Sequence, residues 1–135
     1  MGSWADEYVD AYMDFEGFVT EKEVITGNID KNETWSKIDK VYDFSICTHT
    51  IEDVTNPLLV LEKIQEISNS GFISFPNKFQ ELKNVESSYY LGYCHHKHIF
   101  TLLENDILKF IPKYNSVDYF NHANNKKPSK YNRRC

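Results

Sequence analysis

The sequence predicts an α/β domain, in which a βαβ unit over residues 42–76 is followed by a terminal β-hairpin over residues 98–112. Three observations predict it. Phe44, Ile46 and Cys47 form the short apolar run of a parallel strand buried on both faces. Asn56 followed by Pro57 supplies a capping side chain before a proline at the first helical position. The helix it opens carries Leu58, Leu61, Ile64 and Ile67 as a stripe with Val60 beside it, and Glu62, Lys63, Gln65 and Glu66 opposite. Ser70-Gly71 ends that helix, and residues 72–75 make the next strand. Finally, the runs 98–103 and 107–112 flank Glu104-Asn105-Asp106 as a hairpin. A βαβ unit presents its chemistry at the strand-to-helix loop, here Thr48, His49, Thr50, Glu52 and Asp53.

Taken in order, residues 8–15 alternate as a strand, with Val9, Ala11 and Met13 on one face and Asp14 near the carboxyl end. Residues 23–26 form a second short strand, closed by the turn Gly27-Asn28-Ile29-Asp30. The link of seven residues, 16–22, is short for a parallel crossover, so the pair is either an antiparallel hairpin or a unit whose crossover helix is lost. Residues 32–39 make a short helix with Trp35 and Ile38 on one side. Beyond Pro76, residues 77–93 read as a partly helical insertion, with Phe79, Leu82 and Val85 at helical spacing and Tyr89, Tyr90 and Tyr93 adding aromatic surface. Residues 114–120 pack back on the hairpin, and the remainder frays.

The central block also resembles the later half of class I S-adenosylmethionine-dependent methyltransferase domains. The residues that carry the likeness are Tyr42-Asp43-Phe44, Cys47, His49, Ile51-Glu52-Asp53-Val54, Asn56-Pro57, Gly71 and Pro76, with CHHKH at residues 94–98 before the hairpin. The resemblance implies a methyltransferase-like, Rossmann-type mixed sheet that is truncated at its amino end. The family's first strand is missing, and Gly2-Ser3-Trp4-Ala5-Asp6 looks like the continuation of its glycine-rich loop beyond the first glycine. That strand is central in the fold, so its loss leaves two unpaired edges and favours self-association. Such a shortened chain suits a viral or otherwise reduced relative.

The resemblance further implies S-adenosylmethionine as cofactor and an unidentified methyl acceptor. Asp14 would accept hydrogen bonds from the ribose hydroxyls, although a strand-terminal Asp before Glu16-Gly17 is also ordinary turn chemistry. Asn28, with the backbone of Ile29, would meet the adenine; Asp30 is the alternative, and a Gly-Asn turn is the plainer reading. Thr48 and His49 would face the methyl group. His49 is the catalytic candidate, able to orient a substrate or take a proton, or else to act as a structural hydrogen-bonder. Glu52 and Asp53 are expected at the helix start, where negative charge suits the dipole.

If residues 94–98 are extended, His96 and His98 share a face and His95 points away, so two ligands at most converge. No CxxC or HExxH accompanies them, and no metal site is assigned; lining the open end of the sheet is the preferred role. Cys47 reads as a small buried hydrophobe. Three cysteines without a secretory signal point to reduced thiols and a cytoplasmic setting, and no apolar run is long enough to span a membrane.

Charge narrows the partners. The net charge is −5, but residues 121–135 hold Lys126, Lys127, Lys130, Arg133 and Arg134 and no acid. The body, residues 1–120, is therefore strongly acidic and a poor nucleic-acid binder; only the basic tail could touch a phosphate or an acidic partner, and such tails are usually solvated. Residues 1–120 are taken as one domain and 121–135 as a disordered tail. The expected activity is methyl transfer from S-adenosylmethionine, in a site completed where needed by oligomerisation; the alternative is a non-catalytic interaction module that keeps the framework.

Overall fold

The computed structural model describes residues 9–14, 20–86 and 91–114. The glycine-rich trace at residues 2–6, the link at 15–19, Tyr89 and Tyr90, residues 115–120 and the basic tail lie outside the described residues. Strands β1 (Ala11–Asp14) and β2 (Glu23–Thr26) precede a short helix α1 (Asn32–Trp35). Then come β3 (Tyr42–Thr48), α2 (Pro57–Ile67), β4 (Ser68–Ser74), α3 (Lys78–Glu81) and the hairpin strands β5 (His98–Leu102) and β6 (Leu108–Pro112). The described strands pair two by two, β1 with β2, β3 with β4 and β5 with β6, in place of the one mixed sheet expected. The described residues fall into two compact units, one drawn from Met1–Ile46 and Asn56–Phe72, the other from Cys47–Thr55 and Ile73–Cys135.

In the first unit β1 and β2 are parallel, with Ala11 opposite Glu23 and Asp14 opposite Thr26, which removes the antiparallel-hairpin alternative. The turn after β2 is held by α1. Trp35 Nε1 donates to the Ile29 carbonyl at 2.7 Å, Thr34 Oγ1 to the Asn28 carbonyl at 2.7 Å, and Lys37 Nζ to the Thr26 carbonyl at 2.6 Å. Gly27 has φ +152°, and a Cβ there would lie 2.5 Å from Thr34 Oγ1, so only glycine lets helix and turn approach this closely. Among the described residues of this unit, Trp35, Ile25, Pro57 and Val60 are buried.

Helix α2 starts as its sequence dictates. Asn56 caps it, accepting from Leu59 N at 3.3 Å, and Pro57 takes the first turn. Its buried residues are Pro57 and Val60, Leu61, Ile64 and Ile67 are half-buried, and Glu62, Gln65 and Glu66 are exposed, so the predicted stripe faces inward except at Leu58, which is 56 % exposed. The helix also ends at Ile67, earlier than Ser70-Gly71, and β4 begins at once. The physical reason is competition from β3: Ser68 Oγ, which donates to the Ile64 carbonyl, also hydrogen-bonds with Ser45 Oγ, and Ser70 Oγ donates to the Asp43 carbonyl. Gly71 serves the strand rather than the helix end, because a Cβ there would fall 2.4 Å from Ser45 Oγ.

One further expectation about burial fails. Phe44 and Ile46 on β3 are 55 % and 62 % exposed, so this strand is not buried on both faces. Phe79, Leu82 and Val85 are also exposed, and the helix that carries the first of them is only four residues long. The residue that α3 turns inward is Glu81, 1 % exposed, its start fixed by a capping box between Asn77 and Gln80.

The second unit has the clearer core. Ile51, Val54, Ile99 and Phe100 are buried, and Phe100 packs against Phe75 and Phe110 with ring centroids 5.0 Å and 5.3 Å away. The hairpin forms as predicted, antiparallel, with Phe100 opposite Phe110. Its turn places Asn105 and Asp106 at φ +65° and +60°, a region that Asn and Asp tolerate better than most residues.

Candidate functional site

Polar side chains gather in the second unit, where the loop after β3 meets the segment leading into β5. The backbone makes the junction: the Glu52 carbonyl accepts from Lys97 N at 2.7 Å and from His98 N at 3.1 Å. Ile51 is fully buried at 0 %, and the turn that buries it carries Glu52 inward, to 1 % exposure. Glu52 therefore does not serve the start of α2, as its position in the sequence suggests; it is an interior carboxylate.

Across from it, Gly92 (φ +62°) and the turn at residues 93–96 bring His96 into the interior, with His96 N donating to the Tyr93 carbonyl. This turn overturns the extended reading of residues 94–98. Alternation fails, and His95 and His96 converge edge to face, with ring centroids 4.5 Å apart. His96 Nδ1 lies 2.7 Å from Glu81 Oε1, and Lys113 Nζ donates to Glu81 Oε2 at 3.0 Å and to the Tyr93 carbonyl at 2.6 Å. Glu81 thus holds an imidazole with one oxygen and an ammonium with the other, a buried and well-partnered arrangement.

The other two carboxylates are less well served. Glu52 Oε1 lies 3.5 Å from His49 Nδ1 and 3.9 Å from His96 Nε2, and Asp53 Oδ1 lies 3.8 Å from His96 Nε2. These separations are too long for hydrogen bonds, and both Glu52 oxygens and Asp53 Oδ1 are buried without a hydrogen-bond partner. Burial, above all, raises the Glu52 pKa above its ordinary 4.5, only partly offset by the nearness of its own backbone N–H and of His96.

His49, the expected catalytic residue, continues β3 through its backbone, donating from N to the Ser74 carbonyl at 2.9 Å. It sits at φ +49°, a left-handed conformation uncommon outside glycine, and its side chain is 69 % exposed. Thr48 closes β3 just before it, with its carbonyl accepting from Thr50 Oγ1. Cys47 is a free thiol pushed up to about 11 by burial, so it stays protonated at neutral pH and is no nucleophile. Cys94 is disulfide-bonded, so the expectation of three reduced thiols fails there.

The other expected cofactor residues belong to the first unit. Asp14 ends β1 opposite Thr26, and its carbonyl accepts from Gly27 N at 3.0 Å, so Asp14, Asn28 and Ile29 are brought to one end of the parallel pair. Asn28 Oδ1 accepts from Asp30 N, the turn chemistry weighed against an adenine role. Asp30 Oδ1 in turn accepts from Asn56 N at 2.8 Å, tying the turn to the start of α2. An open cavity of about 580 Å³ in the same unit is lined by residues of α1 and α2 and the segment after α1, among them Trp35, Lys40, Lys63 and Ile67, and by none of these candidates.

Sequence reasoning missed Glu81, His96 and Lys113 as a set. Asn77-Lys78-Phe79-Gln80 carried a capping-box signal that would have placed Glu81 on a helix. Nothing in the linear pattern announces that Lys113, 32 positions on, reaches it.

A strand, a polar loop, a helix and a second strand, closed by a hairpin, are the parts of a methyltransferase-like α/β domain. The chain belongs to the methionine biosynthesis protein MetW family, whose model matches residues 16–84, about half of its length. The match takes in His49, Glu52, Asp53 and Glu81 and stops short of the histidines before the hairpin. No curated protein and no solved structure matches. Among the described residues, no helix is long and apolar enough to cross a membrane.

Proposed function

We propose that this chain is a methyltransferase that takes its methyl group from S-adenosylmethionine, within the methionine biosynthesis for which its family is described. The observation that carries the reading is the parallel β1–β2 pair, which aligns Asp14 with the Gly27–Ile29 turn at a shared carboxyl end. Loops at such an end are where open α/β sheets bind their ligands. The donor set fits: a carboxylate for vicinal hydroxyls, and beside it an amide able to accept from an amine through its second lone pair.

In this reading Asp14 holds the ribose, and Asn28 and the Ile29 backbone meet the adenine; the family resemblance alone assigns Thr48 and His49 to the methyl group. The cofactor supplies an electrophilic methyl group on a sulfonium. The chain's own residues position the acceptor and hold the cofactor still, which for a displacement of this kind supplies most of the rate. His49 orients the acceptor or takes its proton.

A second reading, a non-catalytic interaction module, is favoured by one observation. Phe44 and Ile46 share a face of β3 and leave it exposed, as expected if a second copy or another protein completes the sheet.

Isothermal titration of the folded chain with S-adenosylmethionine and S-adenosylhomocysteine, repeated on Asp14→Ala, separates the readings. Micromolar binding lost in Asp14→Ala supports the enzyme. The absence of heat with either ligand sinks it in favour of the module.

A further inference from the structure

Within the second unit, one partly buried cluster carries more carboxylates than ammonium groups to balance them. Glu52, Asp53 and Glu81 are three carboxylates in one network, and the ammonium of Lys113, bound to Glu81, leaves two negative charges over. Glu52 is 1 % exposed and neither of its oxygens has a hydrogen-bond partner. An ionised carboxylate so placed is unfavourable unless a cation or a proton compensates it.

Around it the lone pairs converge. One ligand atom each from Asp53, His95 and His96 lie within 4.8 Å of one another. The Glu81 carboxylate, 2.7 Å from His96 Nδ1, accepts a hydrogen bond from that nitrogen, and in the neutral ring this leaves the lone pair on Nε2. Nε2 then faces Asp53 Oδ1 at 3.8 Å and Glu52 Oε1 at 3.9 Å, three acceptors with no donor among them. Ligand atoms about 2.0–2.2 Å from one tetrahedral metal ion stand a little over 3 Å apart, so a small inward rotation of these side chains closes the set. A carboxylate on the far nitrogen of a ligating histidine is the usual device for fixing its tautomer and raising its basicity.

We propose that Asp53, His95 and His96 bind a divalent transition-metal ion, with Glu52 as the neighbouring carboxylate and Glu81 as the group that orients His96. Two imidazoles with carboxylate oxygen suit zinc and its first-row neighbours rather than calcium or magnesium. A second grouping, Glu86, Cys94 and His95, shares one residue with this set, but the sulfur of Cys94 is committed to a disulfide and is no thiolate ligand. Site and charge surplus belong wholly to the second unit, so the inference stands apart from the proposed cofactor contacts of Asp14, Asn28 and Ile29.

The test uses the tag-free full chain, stripped of metal with a chelator. Zn²⁺ affinity is read by competition with a chromophoric chelator, and Co²⁺ by its visible absorption. Asp53→Asn and His95→Ala change side chains that are not fully buried, so both variants should fold, which far-UV circular dichroism checks. Glu86→Gln probes the second grouping. The expected result is one ion per chain, a loss of tenfold or more in affinity in each of the first two variants, and no change in Glu86→Gln. Absence of saturable one-to-one binding overturns the proposal. So does affinity that survives either Asp53→Asn or His95→Ala, or that falls equally in Glu86→Gln.

Discussion

The turn after β2 and the loop after β3 are both polar connections at the end of a strand, yet they are stabilised in opposite ways. In the turn, the carbonyls of Thr26, Asn28 and Ile29 each receive a side-chain donor from α1 or the segment just beyond it, and the Asn28 and Asp30 side chains are engaged as well. Acceptors and donors match, and the result is a rigid edge. In the loop after β3 and its surroundings, Glu81 is matched by His96 and Lys113, but Glu52 and the buried oxygen of Asp53 are not. A matched network holds a shape, whereas an unmatched one is poised to take up a proton or a cation. The first is suited to present backbone and amide groups to a ligand, the second to hold charge.

Removing the centre of the matched part of the second unit should have the largest effect. Glu81→Ala strands His96 and Lys113 in the interior and should destabilise the fold by about 3–5 kcal/mol, measured by urea denaturation. An effect near zero would mean that the buried pairs are not formed in solution. Trp35→Phe keeps the ring packing but leaves the Ile29 carbonyl without its donor, and should cost about 1–3 kcal/mol. If instead it is neutral, the turn after β2 is less tightly held than the loop after β3, and the comparison reverses.

Glu52 sharpens the contrast through pH. Its folded pKa is raised by burial, so the folded state binds its proton more tightly than the unfolded state does. Stability from this group is fully present below 4.5 and is lost as pH rises from there through the folded pKa, with a slope of at most about 1.4 kcal/mol per pH unit. Metal-free Glu52→Gln should lack that slope, so denaturation midpoints of the two proteins should diverge on the alkaline side. Parallel midpoints across the range would show that Glu52 is compensated within the chain. The smallest effect is expected at the join between turn and helix. Asn56→Ala removes the cap of α2 and should cost about 1 kcal/mol, read from the same urea curves.

How much of this was legible in the sequence differs between the same regions. The cap at Asn56-Pro57, the hairpin over β5 and β6 and the turn chemistry of Gly27-Asn28 were all readable, because each depends on residues within a few positions of one another. The end of α2 departs from its local signals for the opposite reason. Those signals favour continuation to Ser70, but hydrogen bonds from Ser68 and Ser70 to β3, more than twenty residues away, claim the segment for a strand. Alternation over residues 94–98 fails because a turn at Tyr93–His96 replaces extended backbone, and a period of two means nothing across a turn.

By itself, then, the sequence determined the cap of α2, the turn after β2, the hairpin and the α/β order that the family match supports, since these arise from backbone propensities and neighbouring side chains. Only the tertiary structure decided which polar residues come together. Glu52, Glu81, His96 and Lys113 come from separate stretches of chain, and burial is what gives their charges consequence: it raises the pKa of Glu52 and holds Glu81 against His96 and Lys113.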